Sequence, residues 1–479
     1  MAPPTDAIED SEYASQSPAA ALAAQAAAFG QAVALRAAGA REILKLSLPI
    51  MLSQVLVTLV ALIDIAMVGR LGAHAVAAVG YATQFFFMTQ SALFAVGFAC
   101  VALMAQSIGA GRPREARRAL AASLWVGVGT AILVGAVVLI APRAVLRLLN
   151  AEPAVIELTV PYLRLLLGST LLLAVSLVLE NGLRADRDTV SPMRVAAAAA
   201  ALKVVLNAFL IFGLFGAPRL ELVGAGVATL ISQAFGMALF VAIIRRRPSE
   251  SPLALTAADV AEAPRLVGKV VRIAAPGVAE RIVLNLALLS YFAILANYGT
   301  VAVAAYTVGV RALSFSWIPG TGFAAAVATL VGHALGAGDE DEAVRIGRRA
   351  AMLALLVAIV LGIVGGSARD VIARLLTNDA ATIAALGPFL LCLAIAQPML
   401  QLHFTLAGVH RGAGDTWTPL LAATVGNWGF RVPIAAVCAY VLETDLVWLW
   451  AALIVDHLAR ATWLLITFRR GRWRRRVIG

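Results

Sequence analysis

The chain has 479 residues, of which 61% are apolar, and its mean hydropathy is +0.89. Soluble domains contain about 45–50% apolar residues, so this composition excludes an ordinary soluble fold and indicates lipid as the solvent. The formal net charge of +11 does not indicate a nucleic-acid-binding protein, because the basic residues lie between apolar runs rather than on one polar face.

Apolar runs long enough to cross a bilayer, about 20 residues each, follow one another along the chain. The N-terminal residues 1–43 lack the basic start and short apolar stretch of a signal peptide, and we expect a flexible cytoplasmic tail there. We predict an all-α membrane protein with twelve transmembrane helices, at roughly residues 44–68, 78–106, 118–140, 158–183, 193–215, 223–244, 270–296, 301–333, 349–367, 383–408, 419–440 and 447–468.

The basic residues predict the orientation of these helices. The segments on the side of the N terminus hold most of the Lys and Arg residues, including the cluster at 245–247. The loops on the opposite side hold Arg70, Arg143, Arg147, Arg219, Arg369 and Arg374. By the positive-inside rule, we expect a multi-pass protein of the cell inner membrane with both termini in the cytoplasm.

The two halves of the chain repeat each other at an offset of 227 residues. Pro49 pairs with Pro276, and the Gly-Ala-Gly segment at 109–111 pairs with that at 336–338. Each copy contains an even number of spans, so both copies enter the membrane in the same sense. In transporters built from such parallel repeats, the substrate site lies near the membrane midplane, between the halves.

The repeat divides the chain into two helical bundles of six spans each. We predict the N-terminal bundle at residues 44–244 and the C-terminal bundle at 270–468. Residues 245–269, which are rich in Pro and Ser, should form a cytoplasmic linker. Residues 469–479 should form a basic cytoplasmic tail.

Several motifs resemble the multidrug and toxic compound extrusion family of antiporters, over residues 45 to 479. They are Leu48-Pro49 at the first span, the segment 63–69 that contains Asp64, the Gly-Ala-Gly loops, and the turn at 411–419. The resemblance implies two six-helix bundles around a central cleft. It also implies export of varied organic compounds, often cationic, in exchange for H⁺ or Na⁺, with no other cofactor.

Asp64 is the sharpest candidate for a functional residue. It lies in an apolar span, where an ionisable side chain costs about 2.5–3.5 kcal/mol on insertion scales. Position alone leaves two roles open, a proton carrier and a structural carboxylate that is hydrogen-bonded between helices. The resemblance implies the coupling-ion site of the family at this position.

The fifth span departs from the family pattern beside this acid. Where the family often has Asn and then an acidic or amide residue four positions later, this chain has Lys203 and Asn207, which share one helical face. A Lys that pairs with Asp64 makes Na⁺ coordination doubtful and favours H⁺ as the coupling ion. The alternative is that Lys203 extends towards the membrane interface.

Polar and adaptable side chains in other spans are candidates for the substrate cleft. Glu280 could attract a cationic cargo, although simple exposure at the interface is an alternative. Arg311 occupies the position that repeats Gln84, and either could line the cleft or support packing. Aromatic and Met side chains adapt to varied ligands, but they also pack or face lipid by default. The predicted cleft residues are Glu280, Arg281, Asn285, Arg311, Gln84, Phe87 and Met88.

Other charges inside the spans favour structural roles. Asp456 precedes Arg460 by four residues, which is the spacing of an ion pair within one helix. Glu180 lies near the end of the fourth span, where a local salt bridge or cap is the better interpretation than substrate contact. Arg431 is expected to fix helix packing.

Enzymatic chemistry has little support in this sequence. There is no Gly-x-x-x-x-Gly-Lys-Ser/Thr phosphate loop, and the five His residues show neither metal-ligand spacing nor a nucleophile–base pattern. We predict a monomeric ion-driven transporter of small organic molecules in the lipid bilayer, with no metal and no nucleic-acid partner. The alternatives are a flippase for lipid-linked precursors and a membrane structural or receptor protein that transports nothing.

Overall fold

The computed structural model describes residues 18–214 and 218–475, which are almost entirely helical. Within them, twelve helices are long and apolar enough to cross a membrane. They are α1 Pro18–Gly69, α2 Ala73–Gly109, α3 Pro113–Ile140, α4 Pro153–Ala185, α5 Val190–Phe212, α6 Glu221–Arg245, α7 Pro264–Leu295, α8 Thr300–Gly336, α9 Glu340–Ser367, α10 Ala380–Gly412, α11 Trp417–Tyr440 and α12 Leu446–Arg470.

The helices form two lobes with matching elements. The N-lobe contains α1–α6 and the C-lobe contains α7–α12. The short helix Pro142–Leu148 follows α3, and the short helix Arg369–Leu376 follows α9 at the equivalent place in the repeat. Helix α1 begins, and α12 ends, on the side that we call the terminal side, and the opposite side is the distal side.

Glycine is required at the turn that follows the first helix of each lobe. Gly72 precedes α2 with φ of 104°, and Gly299 precedes α8 with φ of 88°. A residue with a Cβ atom rarely adopts this conformation. The repeated glycine therefore sets the same sharp turn in both lobes.

The first helix of each lobe packs against both lobes. Ile43 and Leu46 of α1 belong to a buried cluster of the C-lobe, whereas Val68 of the same helix belongs to a buried cluster of the N-lobe. Helix α7 mirrors this arrangement, because Ile273 lies in the N-lobe core and Tyr291 in the C-lobe core. On the terminal side, α1 and α7 thus each pack in the core of the opposite lobe, and these contacts hold the two lobes together.

Pro49 and Pro276 lie inside α1 and α7, between the two packed parts of each helix. Proline lacks the amide that would continue the helical ladder, so it weakens the helix locally. Helices α1 and α7 therefore each lack a backbone hydrogen bond at the point where they pass from one lobe to the other.

Helical structure extends into both predicted tails. Helix α1 begins at Pro18 and its residue Ile43 is buried, whereas residues 1–17 of the predicted tail at 1–43 lie outside the described residues. Near the C terminus, the indole of Trp473 is buried and donates to the Phe468 carbonyl at 3.1 Å. This apolar anchor holds the segment through Arg475 against the C-lobe, and residues 476–479 lie outside the described residues.

The linker packs on the N-lobe as an ordered segment. Its short helix Ala257–Glu262 begins with a capping box made by Thr256 and Asp259. Arg117 of α3 bonds Asp259 at 3.1 Å, and Leu253 is completely buried in the N-lobe core. The linker thus forms part of the N-lobe rather than a loose tether.

Candidate coupling site and central cleft

Asp64 contacts both of the side chains that were predicted to face it, Lys203 and Asn207. Helix α1 positions Asp64 near its distal end, and α5 presents Lys203 and Asn207 from one face. The Lys203 ammonium donates to Oδ2 of Asp64, and Nδ2 of Asn207 donates to Oδ1 at 2.5 Å. Both carboxylate oxygens therefore have donors, and Lys203 turns to the carboxylate rather than to the membrane interface.

The site is enclosed on one side and accessible on another. The side chains of Asp64 and Lys203 are 27% and 21% exposed, whereas Asn207 is almost completely buried. One turn further towards the distal side, Val68 and Ile211 are packed in the N-lobe core. The ion pair thus has apolar packing beyond it and still keeps an accessible surface.

Asn207 has one group without a partner. Among the described residues, nothing donates to its Oδ1, although this oxygen is buried. A buried amide oxygen normally accepts a hydrogen bond, because leaving it without one costs about 1–3 kcal/mol. The site therefore contains an acceptor that is ready for one more proton donor.

Glu280 lies at the interface between the lobes. Its carboxylate accepts two hydrogen bonds from Nη2 of Arg411 in α10, at 2.8 and 3.0 Å. The Arg411 guanidinium lies 4.5 Å from the centre of the Phe98 ring in α2, a cation–π contact between lobes. Arg281 follows Glu280 in the chain and is half-buried. In this conformation Glu280 is bound to a cation of the protein itself.

The remaining predicted cleft residues are exposed, on helices that the repeat relates. Gln84, Phe87 and Met88 lie on α2, Arg311 lies on α8, and Asn285 lies on α7 one turn beyond Arg281. Gln84 and Arg311 are equivalent in the repeat and both are exposed. The two halves thus present matching surfaces with different chemistry, an amide in the N-lobe and a guanidinium in the C-lobe.

The lobes are joined at the terminal side. Helices α2 and α8 cross there at Gly109 and Gly336, where an added Cβ would lie 2.1 Å from the His333 carbonyl oxygen and 2.0 Å from the Gln106 carbonyl oxygen. The lobes share hydrogen bonds from Gln106 Nε2 to the Gly412 carbonyl at 3.1 Å, from Thr329 Oγ1 to the Arg184 carbonyl at 3.2 Å, and from His333 Nε2 to the Ala185 carbonyl at 2.7 Å. This close contact explains the first glycine of each Gly-Ala-Gly segment, and the last glycine of each has a positive φ.

A second ionic cluster, only partly expected from the sequence, fills the C-lobe. The predicted pair within α12 is present, since Arg460 donates to both oxygens of Asp456 at 2.6 and 2.8 Å. Arg431 lies 3.8 Å from the same carboxylate and donates to the Tyr306 hydroxyl at 2.9 Å. Arg431 ends a π-helical segment, Val425–Arg431, in which Gly426 leaves room for Asp456. No spacing rule connects α8 and α11 in the sequence, so the link to Tyr306 could not be predicted.

The described residues include no group of three or more His, Cys, Asp or Glu side chains that could hold a metal ion.

The sequence profile of the MatE family matches residues 49–210 and 276–437, two segments whose starts differ by the 227-residue offset of the repeat. Among curated proteins, the chain is 27% identical over 438 residues to the probable multidrug resistance protein NorM of Thermotoga maritima, which covers 91% of this chain and 94% of that protein. It is 30% identical over 453 residues to the probable multidrug resistance protein NorM of Bradyrhizobium diazoefficiens, with the same coverages.

Solved structures share the fold. A mutant of the Vibrio cholerae MATE transporter VcmN superimposes with a TM-score of 0.85 at 20% identity, over 92% of this chain and 99% of that one. An outward-facing multidrug resistance MATE family transporter of the MOP superfamily superimposes with a TM-score of 0.83 at 20% identity, over 91% and 95% of the two chains. Together with the profile match to both halves, this places the chain in MatE, the multidrug and toxic compound extrusion family of transporters.

Proposed function

We propose that this protein exports small organic molecules by antiport with H⁺, and that Asp64 carries the proton. The observation that supports this most directly is the contact of Asp64 with Lys203 and Asn207. Relatives over nine-tenths of the chain are named probable multidrug resistance proteins, which supports export of organic compounds.

The partners of Asp64 favour H⁺ over Na⁺. A hard cation needs several oxygen ligands, and here an ammonium and an amide NH₂ group occupy the two carboxylate oxygens. A proton needs only one lone pair of the carboxylate. It can therefore bind where a metal ion would first have to displace Lys203.

Asn207 can serve both protonation states of Asp64. Its NH₂ group donates to the Asp64 carboxylate, and its Oδ1 is a buried acceptor to which none of the described residues donates. A protonated carboxyl carries an O–H donor, which an amide oxygen can accept. Proton uptake would thus exchange one hydrogen bond for another while Lys203 loses its anionic partner.

The transport cycle follows from this exchange. The conformation described here is closed at the terminal side, which we assign to the cytoplasm because the basic residues concentrate there. A proton from the distal side neutralises Asp64 and frees Lys203, and this changes the contact between α1 and α5. This proton uptake also releases the cargo from the cleft on the distal side. The lobes then rock, the terminal side opens, the proton leaves to the cytoplasm, and a new cargo molecule enters the cleft from there for export in the return movement. We assign the protein to the inner membrane, as a monomer.

The proposal can be tested by transport in proteoliposomes. The vesicles are loaded with rhodamine 110, which has a free carboxylate, or with its cationic methyl ester rhodamine 123. Efflux is then followed under an imposed ΔpH or ΔNa⁺. We expect ΔpH to drive efflux of at least one dye by the wild type, and Asp64→Asn to reduce it to background.

Glu157→Gln serves as the control, because Glu157 forms an exposed ion pair with Arg143 away from this site. Its efflux should match that of the wild type. Efflux that follows only ΔNa⁺, or efflux that survives Asp64→Asn, would contradict H⁺ antiport through this residue.

A further inference from the structure

Four carboxylates of the spanning helices that could attract a cation are each bound to a cation of the protein itself. Each accepts a hydrogen bond from a basic side chain, in the pairs Asp64 with Lys203, Glu180 with Arg184, Glu280 with Arg411, and Asp456 with Arg460. A cationic cargo would therefore meet no free carboxylate at these four positions. The attraction predicted for a cationic cargo at Glu280 assumed a free carboxylate, and here Arg411 binds it.

The C-lobe instead has more guanidinium groups than carboxylates. Arg460 takes both oxygens of Asp456. Arg431 donates to the Tyr306 hydroxyl, lies over the Tyr291 ring at 4.5 Å from its centre, and is 3.8 Å from the same carboxylate. Arg281 lies beside a Glu280 that Arg411 already neutralises. Both groups therefore carry one positive charge in excess.

Arg311 adds a third positive charge, and this one is exposed. Within the described part of the chain, it makes no hydrogen bond and no ion pair. An Arg side chain at this depth of a spanning helix would be costly against lipid and nearly always faces a water-filled interior. Thr307, one turn earlier on α8, is also exposed and polar. This face of α8 therefore lines the cleft.

We infer that the cleft recognises a carboxylate on its cargo through Arg311, and that the protein exports zwitterionic or anionic organic acids. The planar guanidinium can donate two parallel hydrogen bonds to a carboxylate, a geometry that ammonium and amide groups do not offer. The surplus charge at Arg281 and Arg431 adds attraction for an anionic group. The inference deepens the proposed function, because it names the chemical class of the exported compound.

Dye binding to the purified full chain, without any ion gradient, tests the inference. Fluorescence polarisation would compare rhodamine 110 with rhodamine 123, since the two dyes differ only in esterification of the carboxylate. We expect wild type to bind rhodamine 110 about tenfold more tightly than rhodamine 123. Arg311→Gln should remove this preference by weakening rhodamine 110 alone, and Arg311→Lys should keep part of it.

Arg143→Gln is the matched control, because it makes the same change at an exposed arginine of the short helix after α3, which is paired with Glu157 away from the cleft. It should keep the preference for the carboxylate dye. Equal binding of the two dyes by wild type, or a preference that survives Arg311→Gln, would overturn the inference. Because no gradient is present, this result is independent of whether H⁺ drives transport.

Competition separates two sources of an anionic group. Benzoate offers a carboxylate, and inorganic pyrophosphate offers the headgroup chemistry of a lipid-linked precursor. We expect benzoate to displace bound rhodamine 110 at lower concentrations than pyrophosphate does. Stronger displacement by pyrophosphate would overturn the assignment to carboxylates and favour a flippase.

Discussion

The two lobes each hold an ionic cluster, and the clusters differ in exposure and in charge. In the N-lobe, Asp64 and Lys203 balance each other and are about one-quarter and one-fifth exposed. In the C-lobe, Asp456 is completely buried and faces Arg460 and Arg431, so the cluster keeps one excess positive charge. Water can reach the Asp64 carboxylate, as the proposed proton uptake requires, whereas two guanidiniums enclose the Asp456 carboxylate. An aspartate in the N-lobe can thus take part in the proposed ion coupling, whereas an aspartate in the C-lobe holds helices together.

The largest expected effect is on stability, from removing the enclosed carboxylate. Asp456→Asn leaves Arg431 and Arg460 buried without a counter-charge, and it should destabilise the protein by about 3–5 kcal/mol. Thermal unfolding in detergent would measure this against Asp64→Asn, which should unfold much closer to the wild type. A second change, Arg460→Gln, should recover part of the loss because it removes one stranded cation. Equal unfolding temperatures for Asp456→Asn and Asp64→Asn would contradict the claim that the C-lobe cluster contributes more to stability than the N-lobe cluster.

An intermediate effect concerns ion selectivity in the accessible cluster. Lys203→Asn removes the ammonium from Asp64 and supplies an amide oxygen, so three oxygen-bearing side chains would surround the vacated position. Efflux driven by ΔNa⁺ should then appear, and efflux driven by ΔpH should fall by about tenfold, which corresponds to about 1.4 kcal/mol. The control Lys203→Arg keeps a cation and should stay insensitive to ΔNa⁺. If Lys203→Asn shows no Na⁺-driven efflux, Lys203 is not what excludes Na⁺.

The smallest expected effect comes from an ion pair outside the membrane. Burial alone would raise the pKa of Asp259, but hydrogen bonds from the Thr256 hydroxyl and amide, together with the Arg117 guanidinium, hold it below its ordinary value. A lowered folded-state pKa stabilises the protein above the ordinary pKa of Asp, and this contribution is lost as the pH falls through the lowered value. Asp259→Asn should therefore cost about 1 kcal/mol near neutral pH.

Unfolding temperatures measured between neutral and acidic pH would check this sign. The difference between wild type and Asp259→Asn should shrink as the pH falls below the ordinary range of Asp. Glu262→Gln offers a comparison, because the pair of Glu262 with Arg118 is more than one-third exposed and should contribute less. A difference that grows on acidification would contradict the proposed role of the Asp259 carboxylate.

Local patterns in the sequence carried the prediction of the fold. A run of apolar residues is a local property of the sequence and predicts directly where the chain can cross a bilayer. The twelve helices therefore match the predicted spans, and their ends extend beyond them. The 227-residue repeat predicted two equivalent lobes, and the structure shows matching glycines at the turns and at the helix crossing. Local composition did not indicate that Ile43 and Trp473, near the two ends of the chain, would be buried in the C-lobe, because this burial depends on other parts of the chain.

The sequence alone determined which residues could serve as a coupling site, and the tertiary structure decided how they are paired. The spacing of Lys203 and Asn207 placed them on one face, but only the packing of α5 against α1 brings both to Asp64. Likewise, nothing local to Glu280 indicates that Arg411 neutralises it. Hydropathy and helical periodicity act within one helix, whereas an ion pair between helices depends on the packing of segments more than one hundred residues apart. The excess positive charge of the C-lobe, on which the proposed role of Arg311 is built, could therefore be identified only from the packed helices.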